Sequence, residues 1–412
     1  MKPVYIVSWL FALAISFVSC DDWLDKTPKD RLYPDVYFKT EDELRLFTNQ
    51  FYNNLVPSAV DIYSESSDLI VKSDLMLEMS GQRIIPDEGN GWNFTALRDI
   101  NFYLQYSHNC TEVNARNRYD GVARFFRAYF YFEKVKRYGD IPWYDKALDS
   151  DDPELYKARD SREFVMQKML EDLDFAIANL PKTKNAYVLT RWTALALKSR
   201  VCLFEGTFRK YHGLEDCEKY LNACVSASET FMNESGYTLY KSGSTPYRDL
   251  FASINLQADE VIFGRDYEAS LSVLHNVQNY ENSTTMGRPG MNKKIVNSYL
   301  MADGSRFTDK AGYETMTFDQ ECQNRDPRLA QTIRTPGYTR IGSTKKEAPN
   351  LAYTMTGYHL IKYSMTANYD EYNKSCNDIP LFRTAEVYLN FAEAKAELGT
   401  LKQADINKSI KL

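Results

Sequence analysis

Residues able to do chemistry concentrate in two stretches where helical periodicity is absent. Between residues 57 and 94, Tyr63, Arg83, Asp87, Trp92 and Asn93 lie among Pro57, Gly81, Pro86, Gly89 and Gly91. Between residues 267 and 288, Tyr267, Asn276, Gln278, Tyr280 and Arg288 supply rings and hydrogen-bonding groups. An indole or phenol ring stacks on the apolar face of a flat ligand such as a sugar, while amide, carboxylate and guanidinium groups at the edge satisfy its hydroxyls. Both stretches therefore read as candidate binding loops, with Trp92 and Tyr280 as the stacking rings. A plainer reading stands beside each. Trp92 can be the hydrophobic staple of a helix that begins near Asn93, and 30 tyrosines make clusters such as the second arise from composition alone.

Catalytic signatures are missing: there is no G-x-S-x-G elbow, no H-E-x-x-H and no P-loop. Enzymatic activity is therefore not expected. A secreted glycan hydrolase stays as an alternative, because 56 acidic residues leave room for a carboxylate pair across a cleft. A purely structural repeat scaffold is the other. No cofactor or metal is expected, since the four histidines are scattered and no C-x-x-C occurs. Charged residues make up 26% of the chain and the net charge is −6, which disfavours a phosphate-tracking surface and hence nucleic-acid binding.

The N-terminus carries a different chemistry. Lys2 precedes an apolar run from Val4 to Val18, shorter than the roughly 20 residues a spanning helix needs and suited to a secretory signal. Ser19-Cys20 behind it is similar to a bacterial lipobox, although Phe17 stands where leucine is usual. Residues 1–19 are thus expected to be a signal peptide, and Cys20 the acylated first residue of a linker over 20–39. Two acyl chains on Cys20 give stable membrane attachment where one is marginal.

The elements that must hold the two loops are mostly helical. A Thr40/Glu43 capping box opens a helix carrying Leu44, Phe47, Phe51 and Leu55 as far as Pro57. An aromatic stripe runs from Val122 through Phe125, Phe126, Tyr129, Phe132 and Val135, with a left-handed cap expected at Gly139. An Asp160/Glu163 box predicts a third helix to Leu180, Thr190 a fourth to about Phe208, and residues 214–231 a fifth. Cys202, Cys217 and Cys224 sit where buried small residues belong. Helix pairs of this length recur at roughly the 34-residue interval of tetratricopeptide units, and Ala194, Ala196, Ala223 and Ala227 allow close packing between them. Residues 385–396 repeat the pattern near the end. From about 235 to 380, Gly, Pro, Asn and Tyr with short runs such as Val261-Ile262-Phe263 predict loops and short strands.

Four ordered passages then resemble one family. CDDWLD at 20–25, DGVARFFRAYFYFEKVKRYGDIP at 120–142, NRDPRL at 324–329 and IPLFRTAEVYLNFAEA at 379–394 are similar to the lipidated start, the helix and turn, the central turn and the C-terminal repeat helix of SusD-like (RagB/SusD) lipoproteins. The resemblance implies a mostly α fold: a tetratricopeptide-like helical-repeat scaffold with a loop-rich lobe containing short strands. It implies one domain over 40–412, its helical parts at about 40–56, 93–233 and 380–412 and its loop-rich lobe at about 235–380. It further implies a non-catalytic outer-membrane lipoprotein, facing outward, that captures oligosaccharides or peptides and delivers them to a SusC-like TonB-dependent transporter. Members usually continue beyond the position of Leu412, and residues 404–412 read as the start of a return helix with Ile406, Ile410 and Leu412 on one face. A C-terminal truncation is the expectation. The family's ligand sites vary with substrate, so no binding residue transfers from it.

Overall fold

The computed structural model describes residues 37–411 except 64–66, 87, 88 and 90. The signal segment, Cys20, Asp87 and Leu412 lie outside the described residues. Helix α1 (Glu41–Leu55) opens on the expected box: Glu43 N donates to Thr40 Oγ1 at 3.3 Å and Thr40 N donates to the Glu43 carboxylate at 3.0 Å. Its buried stripe packs on α2 (Thr95–Tyr106) and α3 (Val113–Tyr138). Helix α3 starts at Val113, well ahead of the Val122 read from the stripe. Its rings Phe125, Phe126, Phe130 and Phe132 fill the centre of the main core, each burial contributing roughly 1.5–3 kcal/mol. Gly139 ends α3 at φ 71°, ψ −111°. The cap is a conformation open to glycine but outside the left-handed helical basin that was expected.

Three helices follow as stacked hairpins: α4 (Arg162–Asn179), α5 (Arg191–Tyr211) and α6 (Cys217–Glu234), each packed on its predecessor. Two boundaries differ from the sequence reading for local reasons. Ser161, not Asp160, caps α4, because the Asp160 carboxylate instead accepts from Trp143 N at 2.7 Å. Leu214 stands outside α6, since Gly213 at φ 65° turns the chain and Leu214 N closes onto Arg209 O. A Cβ at Gly206 would lie 2.7 Å from Leu221 Cγ, so glycine is what lets α5 and α6 approach. Helix α7 (Thr384–Glu397) then lies against α5 and α6, returning the C-terminal repeat to the earlier ones. Cys202, Cys224 and Ala394 are fully buried at this junction, whereas Cys217 is only half-buried. Beyond α7 the chain forms a short helix, Gln403–Asn407, and Ile410 stays 55% exposed.

Buried ion pairs lock the helices in register. Arg127 of α3 grips Asp172 of α4 with bonds of 2.7 and 2.8 Å, and Arg124 stands 3.6 Å from the same carboxylate. The fully buried Glu205 of α5 accepts from Arg162 and Arg209. Such pairs are costly to break singly, because the orphaned charge stays buried.

Four short strands form two antiparallel pairs among the described residues: β1 (Ile70–Val71) with β3 (Gly290–Met291), and β2 (Val261–Arg265) with β4 (Ile379–Arg383). The second pair sets the entry and exit of the loop-rich part side by side, and Thr384 N donates to Glu260 O at its edge. That part has its own small core of Met291, Val296, Leu329, Ile333, Tyr358 and Leu360. Arg325 of the central turn donates to the carbonyls of Glu321, Val296 and Tyr299, while Arg328 closes onto Asp326.

Candidate ligand-binding clefts

The two candidate loops touch at several points: Ser73 N donates to Gly287 O, Asn292 N to Leu69 O and Ala59 N to the Tyr267 hydroxyl, and the turn Val60–Tyr63 packs on Val277–Glu281. Tyr63 closes a single helical turn, Val60–Tyr63. Arg83 pairs with Glu78 of its own loop at 3.6 Å. Trp92 stands edge to face on Tyr138 at 4.9 Å and on Phe94 at 5.3 Å, with the Arg159 guanidinium 4.9 Å from its ring. It is partly stapled, yet 39% of it remains exposed. Asn93 is exposed, and its Oδ1 accepts from Thr95 N at 2.8 Å, turning the chain into α2.

The second loop is structural, which corrects the expectation of stacking rings there. Tyr267 and Tyr280 are 7% and 4% exposed, so neither ring offers a face. The Tyr267 hydroxyl accepts from Ala59 N and its ring abuts His275, whose imidazole burial drives down to about 4. Gln278 is fully buried and bonded to Thr366 O, Asp370 and Met365 N. Asn276 accepts from Asn373 N, and Arg288 is spent on the carbonyls of Leu351 and Ala352.

Sequence reading missed a cleft of about 760 Å³ at the end of α1. Asn53, Asn54 and Asp61 form one side, Tyr129, Glu133 and Lys134 of α3 another, with Asn93 and Arg265 completing the lining. Arg265 is fixed by donating to Val56 O at 2.9 Å. Lys134 donates to Gly91 O, and desolvation, with Arg137 next, holds its ammonium below the ordinary range. Tyr129 lies parallel to Phe125 at 6.5 Å; burial first and Glu133 second push its hydroxyl well above the usual range, so it stays a neutral donor. The available signal was the polar pair Asn53-Asn54 just before Pro57 and the charges at 133 and 134 interrupting an aromatic stripe. A second cleft of about 290 Å³ adjoins the first, with Thr95 lining both and Trp92, Phe94 and Leu155 among its walls.

Residues 250–412 match the model of the SusD family, and residues 81–191 match a SusD-like model described as starch-binding and associating with the outer membrane. The chain belongs to the SusD-like family. SusD-like protein P2 of Formosa agariphila is 25% identical over 416 residues, spanning 94% of this chain and 76% of that protein. A second protein of that organism, SusD-like protein P38, is 25% identical over 226 residues. Among solved structures, a SusD-like protein of Bacteroides fragilis superposes with a TM-score of 0.72 at 22% identity, covering 94% of this chain and 80% of that one. A SusD-like carbohydrate-binding protein of the same species gives 0.67 at 17% identity, over 91% and 78%.

In this SusD-like chain the N-terminal match contains Trp92, Asn93, Tyr129 and Leu155, so both clefts draw walls from it. The carboxyl groups of Glu281 and Asp378, which burial pushes up to about 7 and about 6, line neither cleft. Among the described residues no helix is long and apolar enough to cross a membrane.

Proposed function

We propose that this SusD-like protein captures an oligosaccharide in the 760 Å³ cleft and delivers it to a SusC-like TonB-dependent transporter, held at the outer membrane by acylated Cys20 and facing outward. The observation that carries the reading is the lining itself. Asn53 and Asn54 are exposed side chains that make no hydrogen bond within the protein, the Asn93 amide nitrogen is equally uncommitted, and Tyr129 adds a neutral hydroxyl. Uncommitted amides around a ring suit a ligand rich in hydroxyls. The family description and the carbohydrate-binding relative in B. fragilis support the same class.

Titrating a glycan and peptide panel into the purified soluble form tests it. Retention of a glycan without turnover, weakened in Asn53→Ala and Asn54→Ala, is the expected result. Released products would favour a hydrolase, retention of peptides alone would change the ligand class, and no retention would leave a scaffold. Cys20→Ser is expected to release the protein from membranes or stall its processing, and unchanged membrane partition would refute the anchor.

A further inference from the structure

The walls of the 290 Å³ cleft are more apolar than those of its neighbour. Its apolar walls are Trp92, Phe94, Leu97, Tyr144, Leu148 and Leu155. Much of its polar lining is already engaged within the protein. Asn101 donates to the carbonyls of Tyr144 and Lys146 and accepts from Arg127, so the buried amide is saturated. Arg98 Nε donates to Leu148 O at 3.0 Å, and Lys146 pairs with Glu154 at 2.9 Å. The Tyr144 hydroxyl is turned onto Glu154 O. The Trp92 indole N–H and the Thr95 hydroxyl are unspent on the segment that separates the two clefts, and the half-exposed Arg98 guanidinium, whose Nη2 stands 3.5 Å from Asp149, keeps N–H donors at the opposite edge.

Against the apolar walls, away from the Arg98 and Lys146 edge, a sugar hydroxyl loses water and gains no partner. These walls welcome an apolar group instead. An apolar cavity of about 150 Å³ suffices for benzene, so this volume holds a substituted aromatic ring with its linker. The unspent donors of Trp92 and Thr95, the latter lining both clefts, suit an acceptor such as a carbonyl joining that ring to a neighbouring sugar. We infer that the cleft beside Trp92 receives an aromatic acyl substituent of the captured glycan, so the ligand is an esterified rather than a plain oligosaccharide. The inference rests on the glycan-capture reading of the larger cleft, and its test uses a probe that contains no sugar.

Saturation-transfer NMR with methyl cinnamate on the purified soluble protein is the experiment. Transfer to the aromatic protons is expected. Leu155→Glu, at a position 41% exposed and so tolerant of change, should weaken it about tenfold by putting a charge in the apolar wall. Trp92→Phe, which keeps an aromatic wall and removes the N–H, should weaken it less. Absence of transfer, or transfer indifferent to both variants, overturns the inference. Tighter, Leu155-dependent binding of N-acetylphenylalaninamide than of methyl cinnamate also overturns it, because a peptide side chain would then be the occupant. Glycan binding lost only in the Asn53 and Asn54 variants bears on the capture reading and leaves this result separate.

Discussion

Replacing Gly206 by alanine sets two effects of opposite sign against each other in the middle of α5. Helix propensity favours alanine over glycine by about 0.8–1.0 kcal/mol. The added Cβ, however, would stand 2.7 Å from Leu221 Cγ, 2.8 Å from Cδ2 and 3.1 Å from the Leu221 backbone nitrogen. Leu221 is 1% exposed and α7 closes the space behind it, so it has nowhere to swing. Overpacking of this kind costs about 1–3 kcal/mol, and the net expectation is a loss of up to about 2 kcal/mol. Gly121 of α3 is the internal control: its Cβ would meet Leu180 Cγ at 3.3 Å, a contact that yields with a few tenths of an ångström of movement. Gly121→Ala is expected to be near neutral or stabilising. Urea unfolding of both variants, with a Gly206→Ala/Leu221→Ala double mutant, measures the difference. The double mutant should lose less than the two single losses combined, since removing the leucine removes the clash. Stabilisation by Gly206→Ala, or strict additivity with Leu221→Ala, would refute the close approach of α5 and α6.

Glu281, raised by burial to about 7 against roughly 4.3 in an unfolded chain, binds its proton more tightly when folded. Its stabilising contribution is present below about pH 4.3 and lost as pH rises through about 7. His359 and His275, lowered by burial to about 3 and about 4, act oppositely, contributing above pH 6.5 and losing it as pH falls. Glu281→Gln should therefore make stability rise more steeply with pH between about 4.5 and 7 than in the parent; a parallel profile in thermal melts would contradict the assignment. Asp172→Asn orphans Arg127 in the core and should cost about 3–5 kcal/mol, read by chemical denaturation. Tyr280→Ala should cost about 3–5 kcal/mol of folding, whereas Trp92→Ala, only partly stapled, should cost about 1–2 kcal/mol. Equal losses in melting experiments would undo the distinction between a core ring and a cleft ring.

Much of the frame was legible because helices are local. Thr40/Glu43, the 3.6-residue stripe of α3 and the Thr190 cap each carry their signal within a few turns. Boundaries failed where a side chain had a distant engagement, as Asp160 has with Trp143. The site was harder to read for the same physical reason. Tyr280 and Trp92 are alike in type and in glycine-punctuated surroundings, and only tertiary packing buries one and leaves the other at a cleft. The larger cleft joins residues 53–61, 93, 129–134 and 265, segments whose proximity is created by packing of α1 on α3 and by the β2–β4 pair. Asn93 could be picked from its loop and the Asn53-Asn54 pair was a local signal; Tyr129 and Arg265 could not be picked, since each sits in an element with a structural reason of its own.

The position of α7 also sets an order of events. Residues 235–383 separate it from α6, so a chain made from its N-terminus completes the α5–α6 hairpin long before its cover arrives. Until then Cys202 and Cys224 line an open groove. Once α7 docks, Cys224 Sγ faces Asn390 O, burial lifts the Cys224 thiol to about 11, and that of Cys202 rises further still. Oxidation proceeds through the thiolate, so the helix that closes the groove is also what silences these sulfurs. In an oxidising compartment, the interval before it arrives is the window in which a wrong disulfide can form.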